Sequence, residues 1–367
     1  MGDTVNLVIN GRFLEKRLGG IGRYAIGVTQ ELMRRGLALW CATSRAVMEE
    51  PATLPEGVGA IGVGMNQGHI WEQWDLPRHL KQVGRPLLLN MMNTAPITYG
   101  RQVTVIHDVA YLRCPRSFTS RFRWFYRYLI PRAAAASLKV VTDSHFSKGE
   151  LVAALGLEPS AIEVVYPFIS PSLLQLAAYT QEPVEERPYA LIVSALNPRK
   201  NLRRALEAFA LADVRDLRLV IVGEMKAVYG NPELEGLLPS HIEIRSGVKD
   251  AELVRLYKGA RVFIYPSLYE GFGLPPVEAM ACGCPVVASR SASLPEVCGH
   301  AAWYVDPLSV EDIAQGIRRI IEDDAVRARL VEKGLAISAR YRVESTVDRL
   351  VAVLARCGMD SLVQVTR

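Results

Sequence analysis

Ser267-Leu268-Tyr269-Glu270-Gly271-Phe272-Gly273-Leu274-Pro275-Pro276-Val277-Glu278-Ala279-Met280 is the stretch that decides the fold. An apolar strand, 262–265, runs into Pro266 just before it, and two prolines mark a helix start inside it. Such a strand–loop–helix step aims backbone N–H groups and the positive end of a helix dipole at whatever lies over the loop, which favours phosphate. The amides of Gly271, Phe272, Gly273 and Leu274 are the candidate donors. Glu270 in the loop and Glu278 in the first helical turn flank that anion site. Carboxylates repel phosphate but accept hydrogen bonds from hydroxyls, so the combination suits a nucleotide-sugar. The bland alternative is a buried glycine-rich turn with solvated glutamates.

Working outward, strand-like and helix-like segments alternate along the chain. Strands are expected at 5–10, 37–43, 86–90, 103–106, 139–142 and 162–166, and a second series at 189–195, 217–223, 241–245, 262–265 and 285–289. Alternation of this kind means parallel sheets covered by helices on both faces. Four prolines between 167 and 188 and the polar run 181–187 mark the boundary between two α/β domains, 1–170 and 185–344.

In open parallel sheets ligands bind beyond the carboxyl ends of the strands, and further candidates lie at such ends. Ser194-Ala195-Leu196-Asn197-Pro198-Arg199-Lys200-Asn201 leaves a strand and enters a helix with apolar residues at Leu202, Ala205, Leu206 and Phe209. Asn201 is the expected N-cap. Arg199 and Lys200 converge with the helix dipole and suit a diphosphate leaving group, whose charge grows as its bond breaks; a solvated basic helix start is the alternative. Gly19-Gly20-Ile21-Gly22 opens a helix after the first strand and its Arg12-containing loop, and glycine lets backbone approach a ligand closely. A nicotinamide dinucleotide site reads similarly, but the Gly-x-Gly-x-x-Gly spacing fails because Ala25 stands in the last position. His107-Asp108 follows the strand at 103–106. A lone histidine is more often structural; facing a ligand it binds a hydroxyl, with Asp108 orienting the ring or accepting from a substrate hydroxyl. The sequence contains no Asp-x-Asp and no His-Glu-x-x-His, so no metal is expected, and Arg199, Lys200 and helix termini are expected to supply the positive charge instead.

Composition bounds these readings. At 367 residues, 50% hydrophobic and 22% charged, the chain is long enough for two folded domains and is no disordered protein. No apolar run reaches membrane-spanning length, the N-terminus shows no signal-peptide character, and the six cysteines follow no disulfide framework, so a reducing cytoplasm is expected. Cys282 and Cys284 are expected as small core residues. The net charge of +5 is uneven: between Asp108 and Asp143 there is no acid but seven cations, so removing those seven leaves the rest of the chain at −2. With no nucleic-acid motif, nucleic acid is not an expected partner. Within Arg116–Arg132, the residues Phe122, Phe125, Tyr126 and Leu129 share one helical face and Arg123 and Arg127 another. Packing of that apolar face into the first domain is one reading; a surface for anionic lipid is the other.

The Glu-x7-Glu stretch, with its preceding strand and the following Ala-Met-Ala-Cys-Gly-Cys-Pro-Val-Val-Ala-Ser, resembles the signature of the large family of retaining glycosyltransferases that includes sucrose synthase and bacterial mannosyltransferases. Asn10-Gly11-Arg12-Phe13, Gly-Gly-Ile-Gly-Arg-Tyr, Val-Ile-His-Asp and Asn-Pro-Arg-Lys-Asn look most like the mannosyl- and rhamnosyl-transferase branch that builds surface polysaccharides on lipid carriers. The resemblance implies a GT-B fold of two Rossmann-like domains facing across a cleft, with the last helix, about 345–367, crossing back onto the first. It implies Glu278 on the ribose, Glu270 on the sugar, Arg199 and Lys200 on the diphosphate, Gly19 and Gly20 over the diphosphate from the opposite domain, and His107 by the acceptor. Many relatives carry an arginine where Ala195 stands here, and Arg199 is its expected substitute. The implied activity is metal-independent transfer of a hexose, first mannose from GDP-mannose, to a saccharide or lipid-linked saccharide, with no cofactor, by a cytoplasmic enzyme peripheral at the inner membrane face. A UDP- or dTDP-sugar transferase, a nucleotide-sugar epimerase and a non-catalytic nucleotide-binding scaffold are the alternatives.

Overall fold

The computed structural model describes residues 6–15, 19–37, 39–49, 56–181, 188–193, 197–214, 216–223 and 242–359. The expected linker residues 182–187, Ser194 to Leu196, and His241 lie outside the described residues. The chain divides into two compact units. Unit 1 comprises Met1–Leu112, Thr119–Ser170 and Arg342–Arg367, and unit 2 comprises Arg113–Phe118 and Pro171–Tyr341.

In unit 1, Leu7–Asn10 (β1), Leu39–Thr43 (β2), Ala60–Gly62 (β3), Leu87–Asn90 (β4), Gln102–Val105 (β5), Lys139–Thr142 (β6) and Ile162–Val164 (β7) form a parallel sheet in the order β3-β2-β1-β4-β5-β6-β7. β1 and β4 read as nearly unbroken apolar runs, and every residue of both is buried. That is what a strand covered on both faces requires. Ile9 pairs with Cys41 on one side and Leu89 on the other, so the connection order reverses between β1 and β4 and leaves a crevice at their carboxyl ends. The helix Gly20–Arg34 turns Tyr24, Ala25, Val28 and Leu32 into the core. It ends in a Schellman turn at Gly36, φ +71°, whose N–H donates to Met33 O while that of Leu37 donates to Leu32 O.

In unit 2, Tyr189–Val193 (β8), Arg218–Val222 (β9), Ile242–Arg245 (β10), Val262–Tyr265 (β11), Val286–Ser289 (β12) and Ala302–Val305 (β13) form a second parallel sheet, ordered β10-β9-β8-β11-β12-β13. Here the order reverses between β8 and β11, where Val262 pairs with Ala190. Ile313, Ile317 and Ile320 of the helix Val310–Glu322 and Leu206 and Phe209 of Leu202–Ala212 build the core over that sheet. Cys282 and Cys284 are free and buried, as their small apolar character predicts. β3 and β13, edge strands that the sequence left unmarked, are short; no residue of β3 is buried, and only the two end residues of β13 are. The last helix, Val343–Arg356, packs Val347, Leu350, Val353 and Leu354 into the core of unit 1.

Candidate active site

Two loops meet at the switch point of unit 2, one after β8 and one after β11. In the first, the Asn197 side chain accepts from the N–H of Arg199 at 3.1 Å and shapes a single 3-10 turn, Pro198–Lys200. Asn201 follows in the left-handed region, φ 59°. It stands at the helix N-cap as expected, but its side chain makes no capping hydrogen bond. The amide instead donates to Pro266 O at 3.0 Å and Pro307 O at 2.6 Å. The left-handed backbone turns the side chain across the sheet, where it staples three loops. The backbone adds to this junction: Leu268 N–H donates to Arg199 O at 2.7 Å, and Ser267 Oγ donates to the same oxygen at 3.1 Å.

The junction brings Glu270, Lys200 and Arg199 together. Lys200 Nζ lies 2.7 Å from Glu270 Oε1 and 2.6 Å from Tyr265 Oη, and Arg199 Nη1 lies 3.5 Å from Glu270 Oε2. Ser267 Oγ donates to Glu270 Oε1. Glu270 is only 6% exposed. Burial alone would raise its carboxyl pKa, but the charges of Lys200 and Arg199 outweigh it and hold the carboxylate below its ordinary value. Gly271, Phe272 and Gly273 are buried, and Ser293 Oγ donates to the carbonyls of Glu270 and Phe272. Gly273 starts the helix at φ 97°, a backbone state that glycine adopts freely. Leu274 is half-buried, and Glu278 is the fifth residue of the helix, one step beyond the first turn assigned to it; Tyr257 Oη lies 3.5 Å from its Oε2. A hollow of about 850 Å³ in unit 2 is lined in part by Asn197, Arg199, Arg204, Leu268 and Tyr269.

Unit 1 carries the other candidates. His107 follows β5 and is buried, 6% exposed. Its Nδ1 lies 3.0 and 2.9 Å from the two oxygens of Asp143, and its Nε2 lies 3.2 Å from Met91 O. A carbonyl only accepts, so Nε2 carries a proton, and Nδ1 facing a carboxylate carries one too. Burial would lower the pKa of this imidazolium, but the charge and hydrogen bond of Asp143 prevail and raise it. The partner that orients the ring is thus Asp143. Asp108, expected in that role, accepts from Ala110 N–H at 2.9 Å and closes the turn after the strand. Tyr24 packs edge-on to the imidazole, ring centroids 5.3 Å apart. Gly19 and Gly20 begin the helix Gly20–Arg34 in the exposed region; Gly19 has φ −97°, and a Cβ at either would meet nothing within 4 Å. The fold itself does not demand glycine there.

Sequence reasoning did not find Asp143, Asn201 as a staple, or the buried pair behind β1. Arg12 Nε lies 3.0 Å from Glu72 Oε1, and Asn10, Asn90 and Thr94 complete that network at the β1–β4 crevice. Burial would raise the Glu72 pKa, but Arg12 and His69 hold it down. Asp143 was within reach of the strand-end rule, since it follows β6 directly. Among the described residues, no three His, Cys, Asp or Glu side chains gather into a set that could hold a metal ion.

Comparison with known proteins agrees with this architecture. The family described as Glycosyltransferase Family 4 matches residues 18–173, and Glycosyl transferases group 1 matches residues 180–336. The chain is 31% identical over 269 residues to the O-antigen chain mannosyltransferase B of Escherichia coli, covering 70% of each chain. It is 31% identical over 293 residues to the MMP alpha-(1->4)-mannosyltransferase of Mycolicibacterium hassiacum, covering 76% of this chain and 69% of the relative. The structure of Anabaena HepE in complex with UDP and glucose superposes with a TM-score of 0.70 at 18% identity over 95% of this chain and 99% of the other, a likeness of fold alone. Two parallel-sheet Rossmann-like units, one matched by each family, make this chain a glycosyltransferase of family 4 with the GT-B fold.

Proposed function

We propose that the protein moves mannose from GDP-mannose to a saccharide or lipid-linked saccharide acceptor in polysaccharide synthesis, with retention at the anomeric carbon and without a metal. The observation that carries this reading is the Lys200–Glu270–Arg199 cluster at the unit 2 switch point. Two cations held by a buried carboxylate are prepared to receive a diphosphate, and the carboxylate is then available to accept hydroxyls of the transferred sugar. The 31% identity to two mannosyltransferases favours mannose.

In the reaction the bond from the anomeric carbon to the leaving phosphate oxygen breaks, and the acceptor oxygen attacks the same face. The leaving oxygen takes the acceptor proton, so the products are the glycoside and the nucleoside diphosphate. Lys200, Arg199 and the amides of Gly271, Phe272, Gly273 and Leu274 stabilise the charge that grows on the diphosphate. Glu278 is assigned to the ribose hydroxyls, Gly19 and Gly20 to close backbone approach to the diphosphate, and His107 and Asp108 to the acceptor side. Because both ring nitrogens of His107 are engaged, an acceptor hydroxyl reaches Nε2 only by replacing Met91 O. A cytoplasmic enzyme that meets its lipid-linked acceptor at an anionic membrane through Arg116–Arg132 completes the reading.

The test is thermal unfolding against GDP, UDP, ADP and dTDP and their sugars without added metal. A ligand at about 100 times its Kd stabilises by roughly 2.7 kcal/mol. A response selective for GDP and GDP-mannose is expected, followed by transfer giving an α-linked product by NMR. A response confined to UDP compounds would replace the donor, a reading that the UDP complex of HepE keeps in view. Conversion of the donor with no acceptor present would point to an epimerase, and binding without turnover to a scaffold.

A further inference from the structure

The loop after β12 packs against the loop that carries Glu270. Arg290 N–H donates to Val305 O at 2.8 Å, which ties the start of this second loop to β13. Ala292 then takes φ 55°, a left-handed backbone state that a residue with a side chain adopts only under strain. The turn presents Ser293, which is fully buried, to the Glu270–Gly273 segment. Ser293 Oγ lies 3.0 Å from Glu270 O and 2.8 Å from Phe272 O. Leu294, the next residue, occupies the space beside Gly273 where a side chain would stand. Tyr304 Oη anchors this support in turn, 2.7 Å from Gly299 O and 3.3 Å from Leu294 O.

Each of the two carbonyls belongs to a peptide whose nitrogen is a glycine's. Glu270 O shares its peptide with the N–H of Gly271, and Phe272 O shares its peptide with that of Gly273. Both peptides are trans, so in each the N–H points away from the carbonyl. With both carbonyls turned to one hydroxyl, both N–H groups turn to the side opposite Ser293. Glycine lets backbone approach a ligand closely, but it puts little constraint on the rotation of the peptide before it. Gly271 and Gly273 therefore supply amides without fixing where they aim. Without the Ser293 hydroxyl, two buried carbonyls would lose a donor, and rotation of their peptides in search of another would carry the N–H groups with them.

We propose that Ser293 is a positioning residue for the donor diphosphate: its hydroxyl, one proton shared between two carbonyls, holds the N–H groups of Gly271 and Gly273 in the orientation that receives phosphate oxygens. Ser293 acts through the backbone and touches no substrate itself. The inference rests on the donor site proposed above and adds what sets its aim, a side chain from outside the Glu-x7-Glu stretch. Because Glu270 O is one of the two carbonyls, the same hydroxyl also steadies the backbone under the Glu270 carboxylate. Phosphate amides and sugar-facing carboxylate thus share one support.

The test is equilibrium binding of GDP and UDP, and of guanosine and uridine, to the full chain. The wild type should bind one diphosphate far more tightly than its nucleoside. Ser293→Ala should lose about ten-fold or more of that diphosphate affinity and keep the nucleoside affinity. Ser293→Thr, which retains the hydroxyl, should restore diphosphate binding. An unchanged diphosphate affinity in Ser293→Ala overturns the proposal, and so does an equal loss for diphosphate and nucleoside, the mark of a merely structural role; both leave the donor site standing. A wild type that binds neither diphosphate overturns site and proposal together. Should Ser293→Ala fail to fold, the wild type decides with isotope-labelled glycine: the amide resonances of Gly271 and Gly273 should move with the diphosphate and not with the nucleoside. Resonances that stay in place overturn the proposal.

Discussion

Glu270 and Lys200 are the residues on which the chemistry turns. A diphosphate arriving at Lys200 competes with Glu270 for the same ammonium, so phosphate recognition and release of the carboxylate for sugar hydroxyls are coupled in one exchange. Lys200→Met leaves a buried carboxylate without its nearest cation, and breaking a buried pair costs about 3–5 kcal/mol. Thermal unfolding should show that loss, and initial rates with donor and acceptor should fall at least 100-fold. Adding Glu270→Gln should restore much of the stability and none of the transfer. The pH dependence has a definite sign. The Glu270 pKa is depressed in the folded protein, so its stabilisation is present above the ordinary carboxylate range and is lost as pH falls toward the folded value. The double variant should lack that acid-side loss. These residues were legible in the sequence because each lies in a short continuous motif at a strand end. The pairing of Asp143 with His107, that of Glu72 with Arg12, and the Asn201 staples were not. Their partners lie 36, 60, 65 and 106 positions away, and only the topology of the sheets brings them together.

At the scale of elements, the two glycine-marked helix starts differ in kind. Gly273 has φ 97°, and an added Cβ would come within 2.6 Å of Leu294 Cδ2. Gly273→Ala is therefore expected to cost on the order of 1–3 kcal/mol. Gly19 and Gly20 face open space. Gly19→Ala and Gly20→Ala should leave the melting temperature unchanged or slightly raised, yet weaken nucleotide binding if backbone must approach the diphosphate there. Titration calorimetry with GDP alongside unfolding of the same variants separates the two effects. The central strands were legible for a related reason: apolar runs buried on both faces leave little ambiguity. The edge strands β3 and β13 are less completely covered, so their periodicity is weak. The helix Ser120–Ala135 was legible as a helix, but its packing against His69 was not, because Phe125 and Tyr126 lie more than fifty positions from that histidine.

Across the whole molecule, the chain builds most of unit 1, then unit 2, then returns. Val343, Val347, Leu350, Val353 and Leu354 share a core with Leu7, Ile9, Val28 and Leu32. Asp348 pairs with Arg35 at 2.6 Å, and Thr346 Oγ1 donates to Tyr166 O at 2.8 Å. A chain ending at Tyr341 should therefore lose cooperative unfolding of unit 1, bind hydrophobic dyes, and keep a separate transition from unit 2. Calorimetry of the truncated and full chains checks this. Nothing in the amphipathic pattern of the last helix says which unit it completes, which is why its destination is a property of topology. On the ribosome, synthesis at about 5–20 residues per second leaves the earliest core waiting tens of seconds for its last wall. During that interval the emerging protein carries an unfinished apolar seam, a natural foothold for a chaperone and a reason for any premature stop codon late in the message to be as damaging as an early one.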